Sequence, residues 1–289
     1  RLCRDWSSDV CSSDLAILVP QFENILFTMM IMAAEQVAYN AGYVLLICST
    51  YDLPERERVY IESLLSQQVD GLILSPTMAG TVNTRDLRER GCPYVVVDRR
   101  LPRMRAGSYD YVGFDNRRGA ELATQFLIDH GHRRIGFLGW RTRVRTVGER
   151  YLGFRASLAH NGLDPAACPS LFGPHSREEG ERLSAGLLAD GKVTAIFAAH
   201  QYLGEGVLQA ARRLGKALPR DLSLVVFGQP AWTELTDPPI TSIRMPDSEL
   251  GERAARLLID RIEGRGAGPE YVVIEPTIAV GGSVAFMQG

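Results

Sequence analysis

Short unbroken runs of apolar residues alternate along the chain with segments in which apolar positions recur every three or four residues. The unbroken runs are LAILVP from Leu15, YVLLICS from Tyr43, VDGLILS from Val69 and PYVVVD from Pro93. A second set follows, with RRIGFLG from Arg133, VTAIFAA from Val193 and LSLVVFG from Leu222. A strand with one wet face alternates apolar and polar residues. An unbroken run has no wet face, so these read as strands of parallel sheets covered on both sides by helices. The intervening segments predict those helices. Asp52, ahead of Pro54 and Glu55, predicts an N-cap, and Ile61, Leu64 and Leu65 then share one face. Asp247 or Ser248 predicts another start, with Leu250, Ala254, Leu257, Leu258 and Ile262 inward and Gly264 past the end. In the helix expected over residues 25–41, Met29, Met30, Ile31 and Met32 are consecutive and point all round the axis. A helix with one solvent face needs only a stripe, so something besides its own sheet must cover it. The two sets of alternating strands and helices predict an α/β fold of two doubly wound, Rossmann-like lobes.

Composition narrows the classes. At 289 residues, 45% hydrophobic and 23% charged, the chain has room for two packed lobes and is neither disordered nor fibrous. The formal net charge of −2 gives no global basic field of the kind that holds nucleic acid. All basic residues but Lys192 and Lys216 are arginine. The five cysteines, Cys3, Cys11, Cys48, Cys92 and Cys168, form no C-x-x-C pair, which suits a reducing compartment and predicts a cytoplasmic protein. The longest uncharged apolar run, from Ile25 to Ala34, is about half of the ~20 residues a membrane span needs, so no membrane partner is expected. The opening run RLCRDWSSDVCSSD, residues 1–14, shows neither periodicity nor the apolar core of a signal peptide. It resembles translated adapter sequence and is set aside as non-native.

Several motifs fail on inspection. Gly186 to Lys192 fits a phosphate-binding loop, but Val193 replaces the magnesium-holding hydroxyl, and the segment runs from helix to strand rather than the reverse. Gly204-Glu205-Gly206 has Gln209 at the third glycine position and reads as a loop. His130-Gly131-His132 stands at an expected helix end, where a cap is the simpler reading than a metal. No nucleophile, paired carboxylate or metal set demands an enzyme, and no cofactor or metal is expected.

The order and spacing of VPQFENILF from Val19, AGYVLLICST from Ala41, PERERVYIESLLSQQVDGLILSP from Pro54 and VVVDRR from Val95 carry a family resemblance. GFDNRRGAELATQFLIDHGHRRIGFLG from Gly113, ERYLGFRASLAHNGL from Glu149 and DPPITSIRMP from Asp237 extend it over residues 15–289. The chain resembles the effector-binding core of the lactose-repressor and galactose-repressor family of bacterial transcription regulators. That resemblance implies a periplasmic-binding-protein-like fold of two lobes, residues 15–114 with 246–270 and 115–245 with 271–289, joined by three crossovers. It implies a homodimer and a small-molecule effector, a carbohydrate or anionic sugar derivative, bound between the lobes at the carboxyl ends of the strands. Family members read operator DNA through a helix-turn-helix headpiece. The chain enters its first core strand directly after the adapter-like run, so DNA binding is an expectation for the parent protein alone. A periplasmic sugar-binding protein of a transporter shares the lobes and is the alternative; the R-E-R and D-P-P signatures favour the regulator.

The resemblance also carries the candidate effector contacts. Gln21, Phe22 and Phe27 belong to the first strand–helix loop, as contacts or as packing. Asp98 ends the fourth strand, as a ligand carboxylate or as a cap of the next turn. Phe114, at the first crossover, is a stacking wall or a hinge packing residue. Arg150 matches an arginine at the start of the Y-L-G-F helix that donates to ligand hydroxyls or carboxylates. The loop before it, Trp140-Arg141-Thr142-Arg143-Val144-Arg145-Thr146, adds Thr146 and further arginines, which points to an anionic effector or to solvated side chains. His200-Gln201 stands where the family has Asn-Asp, and Gly228-Gln229 where it has Asp-Asp. The pairs His200-Gln201 and Gly228-Gln229 therefore lack two acidic anchors for sugar hydroxyls.

Overall fold

The computed structural model describes residues 14–140, 145–189, 191 and 193–287. The chain divides into two compact units, one built from the chain up to Gly113 with Pro246–Ile274, the other from Phe114–Met245 with the chain from Glu275. The first unit begins with β1 (Asp14–Val19), α1 (Ile25–Asn40), β2 (Val44–Ser49), α2 (Pro54–Ser66) and β3 (Gly71–Leu74). The short α3 (Gly80–Asn83) and α4 (Arg85–Glu89), then β4 (Tyr94–Val97) and β5 (Tyr111–Phe114), follow. The second runs α5 (Asn116–Asp129), β6 (Ile135–Trp140), α6 (Arg145–His160), β7 (Ser170–Gly173), α7 (Arg177–Ala189) and β8 (Ala195–Ala198). It continues through α8 (Gln201–Arg213), β9 (Ser223–Phe227), α9 (Trp232–Leu235) and β10 (Thr241–Arg244). The chain returns to the first unit with α10 (Asp247–Ile262) and β11 (Tyr271–Ile274), and adds β12 (Thr277–Ala279) to the second.

Each unit holds a six-stranded sheet, ordered β11-β5-β4-β3-β1-β2 and β12-β10-β9-β8-β6-β7. The core pairings are parallel, with β1 between β2 and β3 and β6 between β7 and β8. The winding direction therefore reverses between β1 and β3, and between β6 and β8. In open α/β sheets ligands bind outside the carboxyl ends of the strands at such a reversal.

Unbroken apolar runs do become strands buried on both faces: Leu15 to Val19 are 0% exposed throughout. The pattern missed β5, β7, β10, β11 and β12, short strands that lie outside the unbroken apolar runs. Two expectations are corrected. β12 pairs antiparallel with β10, through Ser242 and Ala279, so the second sheet is mixed. The boundary expected at 270 moves past Ile274, because β11 adds to the first sheet. There the Tyr111 amide donates to the Glu270 carbonyl at 2.8 Å, and the rings of Tyr111 and Tyr271 stack at 4.6 Å.

Local details also differ. Asp52 is not the cap of α2. That position is Leu53, with no side-chain cap bond, while Asp52 sits at φ 57° and accepts from Arg99 Nη2 at 3.1 Å. Pro54 pre-sets the first turn instead, and Glu55 and Glu57 suit its positive end. Gly204-Glu205-Gly206 lies inside α8, not in a loop: a Cβ at Gly206 would stand 2.3 Å from the Arg177 carbonyl, so glycine permits the approach of α7 to α8. His130 is the C-cap of α5 and Gly131 follows at φ 86°, as the cap reading required. In α1, Met30 and Ile31 are buried while Met29 and Met32 are exposed, Met32 by 61%. No helix among the described residues is long and apolar enough to cross a membrane.

Candidate functional site

The reversal point of the second sheet gathers side chains from several elements. β6 ends at Trp140, β8 leads through Ala199 into His200, and β9 ends at Phe227 before Gly228. Arg150 joins them from α6. That helix starts at Arg145, so Arg150 lies beyond the first turn rather than at the helix start, and it is buried, at 5% exposed. Its Nε donates to Asn116 Oδ1 at 2.8 Å and its Nη1 to the Ala199 carbonyl at 2.7 Å. The guanidinium carbon lies 3.8 Å from the centre of the Phe227 ring and 5.8 Å from that of Trp140. A cation taken out of water must be compensated. Neutral oxygens and the negative faces of two aromatic rings contribute to that compensation here. Asn116 opens α5 and is itself buried, with its Nδ2 held by the Phe114 carbonyl at 3.4 Å.

His200 caps α8. Its Nδ1 accepts from the Tyr202 amide at 3.2 Å and lies 3.0 Å from Nε2 of His175, a residue that follows β7. The ring of Trp140 is 4.7 Å from that of His175 and 5.1 Å from that of His200. Burial, then the neighbouring His175 and Arg150, hold the His200 pKa well below the ordinary imidazole value. Thr146 is buried in the first turn of α6. Gly228 turns the chain at φ 100° and donates its amide to the Ile243 carbonyl at 2.9 Å. Gln229 is directed elsewhere, donating to Glu234 of α9 at 3.0 Å.

The loop expected to be rich in arginine lies only partly within the described residues. Arg141, Thr142, Arg143 and Val144 lie outside the described residues. Arg145 is the first residue of α6 and donates to Glu149 at 3.0 Å on an exposed face, so it is spent on its own helix. Phe114, at 1% exposed, is closed off within β5, which fits packing and not an open stacking wall.

In the first unit, Phe27 is 2% exposed inside α1 and belongs to the core, whereas Gln21 is half-buried and Phe22 is 44% exposed after the end of β1. Asp98 directly follows β4 at φ 58° and is buried; Tyr111 Oη donates to its carbonyl at 3.1 Å. The Asp247 carboxyl is pushed up to about 7, by burial first and by the charge of Asp98 second. Sequence reasoning did not single out Asn116 or His175, and offered Asp247 only as a helix start. Nothing in a linear pattern pairs His175 with His200, since the strand ends that join them lie 25 residues apart. No group of three histidine, cysteine, aspartate or glutamate side chains among the described residues is placed to hold a metal.

Comparison with known proteins places this geometry. Residues 124–284 match the family model of the periplasmic binding protein-like domain. The HTH-type transcriptional repressor PurR of Mannheimia succiniciproducens is 28% identical over 276 residues, covering 94% of this chain and 81% of its own. The ribose operon repressor of Halalkalibacterium halodurans is 28% identical over 253 residues, covering 87% and 73%. Among solved structures, a LacI family transcriptional regulator from Enterococcus faecium with bound ribose superposes with a TM-score of 0.86. It is 26% identical and covers 95% of this chain and 100% of its own.

Proposed function

Because this chain belongs to the family of periplasmic binding protein-like domains and, within it, to the LacI-type transcription regulators, we propose that it is the cytoplasmic effector-sensing core of such a regulator. Its effector is a small sugar-like molecule, a carbohydrate or an anionic sugar derivative, held at the carboxyl strand ends of the second unit. The observation that carries this reading is the buried Arg150 guanidinium, fixed by Asn116 and Ala199 against Phe227 at the reversal point of the sheet. Such a fork is preorganised to donate to hydroxyl or carboxylate oxygens. The bound ribose of the Enterococcus faecium relative supports an effector of monosaccharide size. Thr146, His200 and Gly228 are the further candidate contacts in this unit, and Gln21, Phe22 and Asp98 those at the strand ends of the first.

The reading is of a protein that senses its ligand rather than converting it. The relatives are repressors, which favours regulation over transport. Operator DNA is read by a helix-turn-helix headpiece of the parent protein, and the core is a homodimer. Exposed apolar side chains on α1 (Met29, Met32, Tyr39) and on the edge strand β2 (Val44, Ile47) support the second point, since a partner surface would cover them. A thermal-shift screen of neutral sugars, sugar acids and sugar phosphates on wild type and Arg150→Ala tests the effector site. Stabilisation of wild type that disappears in the variant is expected; equal stabilisation of both rejects the site.

A further inference from the structure

Many surface arginines of the long helices are neutralised close by. Arg58, Arg117, Arg145, Arg182 and Arg253 each pair with a glutamate three or four residues away on the same helix. One surface of the first unit differs. Arg85, Arg88, Arg103 and Arg105 are all exposed, and none of them forms an ion pair among the described residues. Asp86 and Glu89, the acids of α4, offset only part of that charge.

These side chains stand together. A Cβ at Gly80 would lie 3.1 Å from Leu101 Cδ2, and the Thr81 hydroxyl donates to the Pro102 carbonyl. Arg88 reaches Met104 Sδ at 3.4 Å and donates to the Thr81 carbonyl at 3.5 Å. The segment after β4 therefore runs along α3 and α4. Arg103 lies between two residues that touch those helices, and Arg105 directly beyond. Leu87 faces inward, clustered with Ile61 and Leu64 of α2 and with Ala16 and Leu18 of β1. Val82 and Arg85, three residues apart, share the outward side. Val82 is 60% exposed, and Met78, just before α3, is 48% exposed.

Exposed apolar side chains ringed by arginine match the make-up of a protein–protein interface, with an apolar centre and arginine enriched about it. Nucleic acid fits less well, because the net charge is −2 and α4, of five residues, is too short to follow a groove. An acidic polypeptide fits both features. Its carboxylates match the guanidinium forks, and an apolar side chain covers Val82 and Met78. Neither α1 nor the exposed side chains of β2 contribute, so a partner here needs none of the homodimer surface. No candidate effector contact belongs to it either.

We propose that the outer side of α3 and α4, with the segment after β4, is a docking surface for a partner protein that presents an acidic segment carrying an apolar side chain. Val82 receives the apolar side chain, and Arg85 and Arg103 receive carboxylates.

Fluorescence anisotropy on the full chain tests this with labelled probes. They are a peptide of aspartates and glutamates around one phenylalanine, the same peptide with serine for phenylalanine, its counterpart with lysine at every acid, and a DNA duplex. The phenylalanine peptide should bind saturably, at least tenfold more tightly than the serine peptide, and the lysine peptide should not bind. Raising salt from about 0.05 M to about 0.3 M should weaken binding at least tenfold. Arg85→Gln combined with Arg103→Asn should also weaken it at least tenfold at unchanged melting temperature, since asparagine tolerates the φ of 60° at position 103. Arg134→Gln combined with Arg212→Gln removes the same charge from exposed positions of the second unit and should change nothing. Val82→Ser should bring the two acidic peptides to equal affinity. No binding of the phenylalanine peptide, equal loss in both double variants, or equal affinity of wild type for the two acidic peptides would each overturn the proposal. Binding of the duplex alone, lost with Arg85 and Arg103, would assign the surface to nucleic acid and overturn it as well.

Discussion

Replacing His132 by asparagine should remove a defined part of the acid sensitivity of the second unit. His132 joins α5 to β6, is 1% exposed, and places its Nδ1 2.8 Å from Thr194 Oγ1. Burial pushes its pKa down from 6.5 to about 4. The native state therefore binds this proton less readily than the unfolded chain does. Stability is complete above pH 6.5 and is lost as the pH falls towards 4. A displacement of about 2.5 pH units at ~1.4 kcal/mol each amounts to about 3.5 kcal/mol in full, of which about 3 kcal/mol is lost by pH 4, where the native-state group is half protonated. Asparagine keeps a polar atom near Nδ1 for Thr194 and has no proton to gain. Urea unfolding of wild type and His132→Asn, followed at half-unit steps from pH 7.5 to pH 4, gives the difference directly. The buried His200 titrates with the same sign but is present in both proteins and cancels. The wild-type advantage should shrink by about 3 kcal/mol across that window. Parallel profiles for the two proteins would refute the argument.

Three further outcomes follow from packing and charge. Gly251→Ala should cost about 1–3 kcal/mol by thermal unfolding, because a Cβ there would stand 2.1 Å from the Met30 carbonyl of α1, whereas Gly148→Ala, with nothing within 4 Å, should be neutral or mildly stabilising. Met32→Glu, on the exposed face of α1, should move sedimentation at micromolar concentration from dimer to monomer; a wild type that is already monomeric counts against the dimer. The 289-residue chain alone, with net charge −2, should give no sequence-specific, salt-sensitive gel shift.

The fold was legible where sequence pattern and burial coincide. The runs at Leu15, Val69 and Pro93 became strands because nearly every residue in them is enclosed, and a continuous apolar run encodes little else. β11 was assigned to the wrong unit because four residues, Tyr111 and Tyr271 stacking aside, carry no signal of which sheet they join. Arg150 was legible through its place beside Y-L-G-F, but its environment was not: Asn116 and Ala199 reach it from 34 and 49 residues away. Glu57 shows the same limit. Nothing in the linear pattern marks it, yet it is 0% exposed and accepts from the Thr77 amide and hydroxyl at 2.6 and 3.0 Å and from Asn83 at 2.8 Å. Burial raises its pKa despite those bonds. Such contacts are set by the folding of the loop after β3 over α2, which periodicity does not encode.

The central claim, that the second unit senses a small sugar-like effector through Arg150, is tested most directly by calorimetric titration. The strongest stabiliser from the thermal-shift screen is titrated into wild type, Arg150→Ala and Arg150→Lys. Saturable binding to wild type is expected, weakened at least tenfold in both variants, because lysine keeps the charge but loses the fork that Asn116 and Ala199 orient. Binding of equal affinity to wild type and Arg150→Ala would contradict the account.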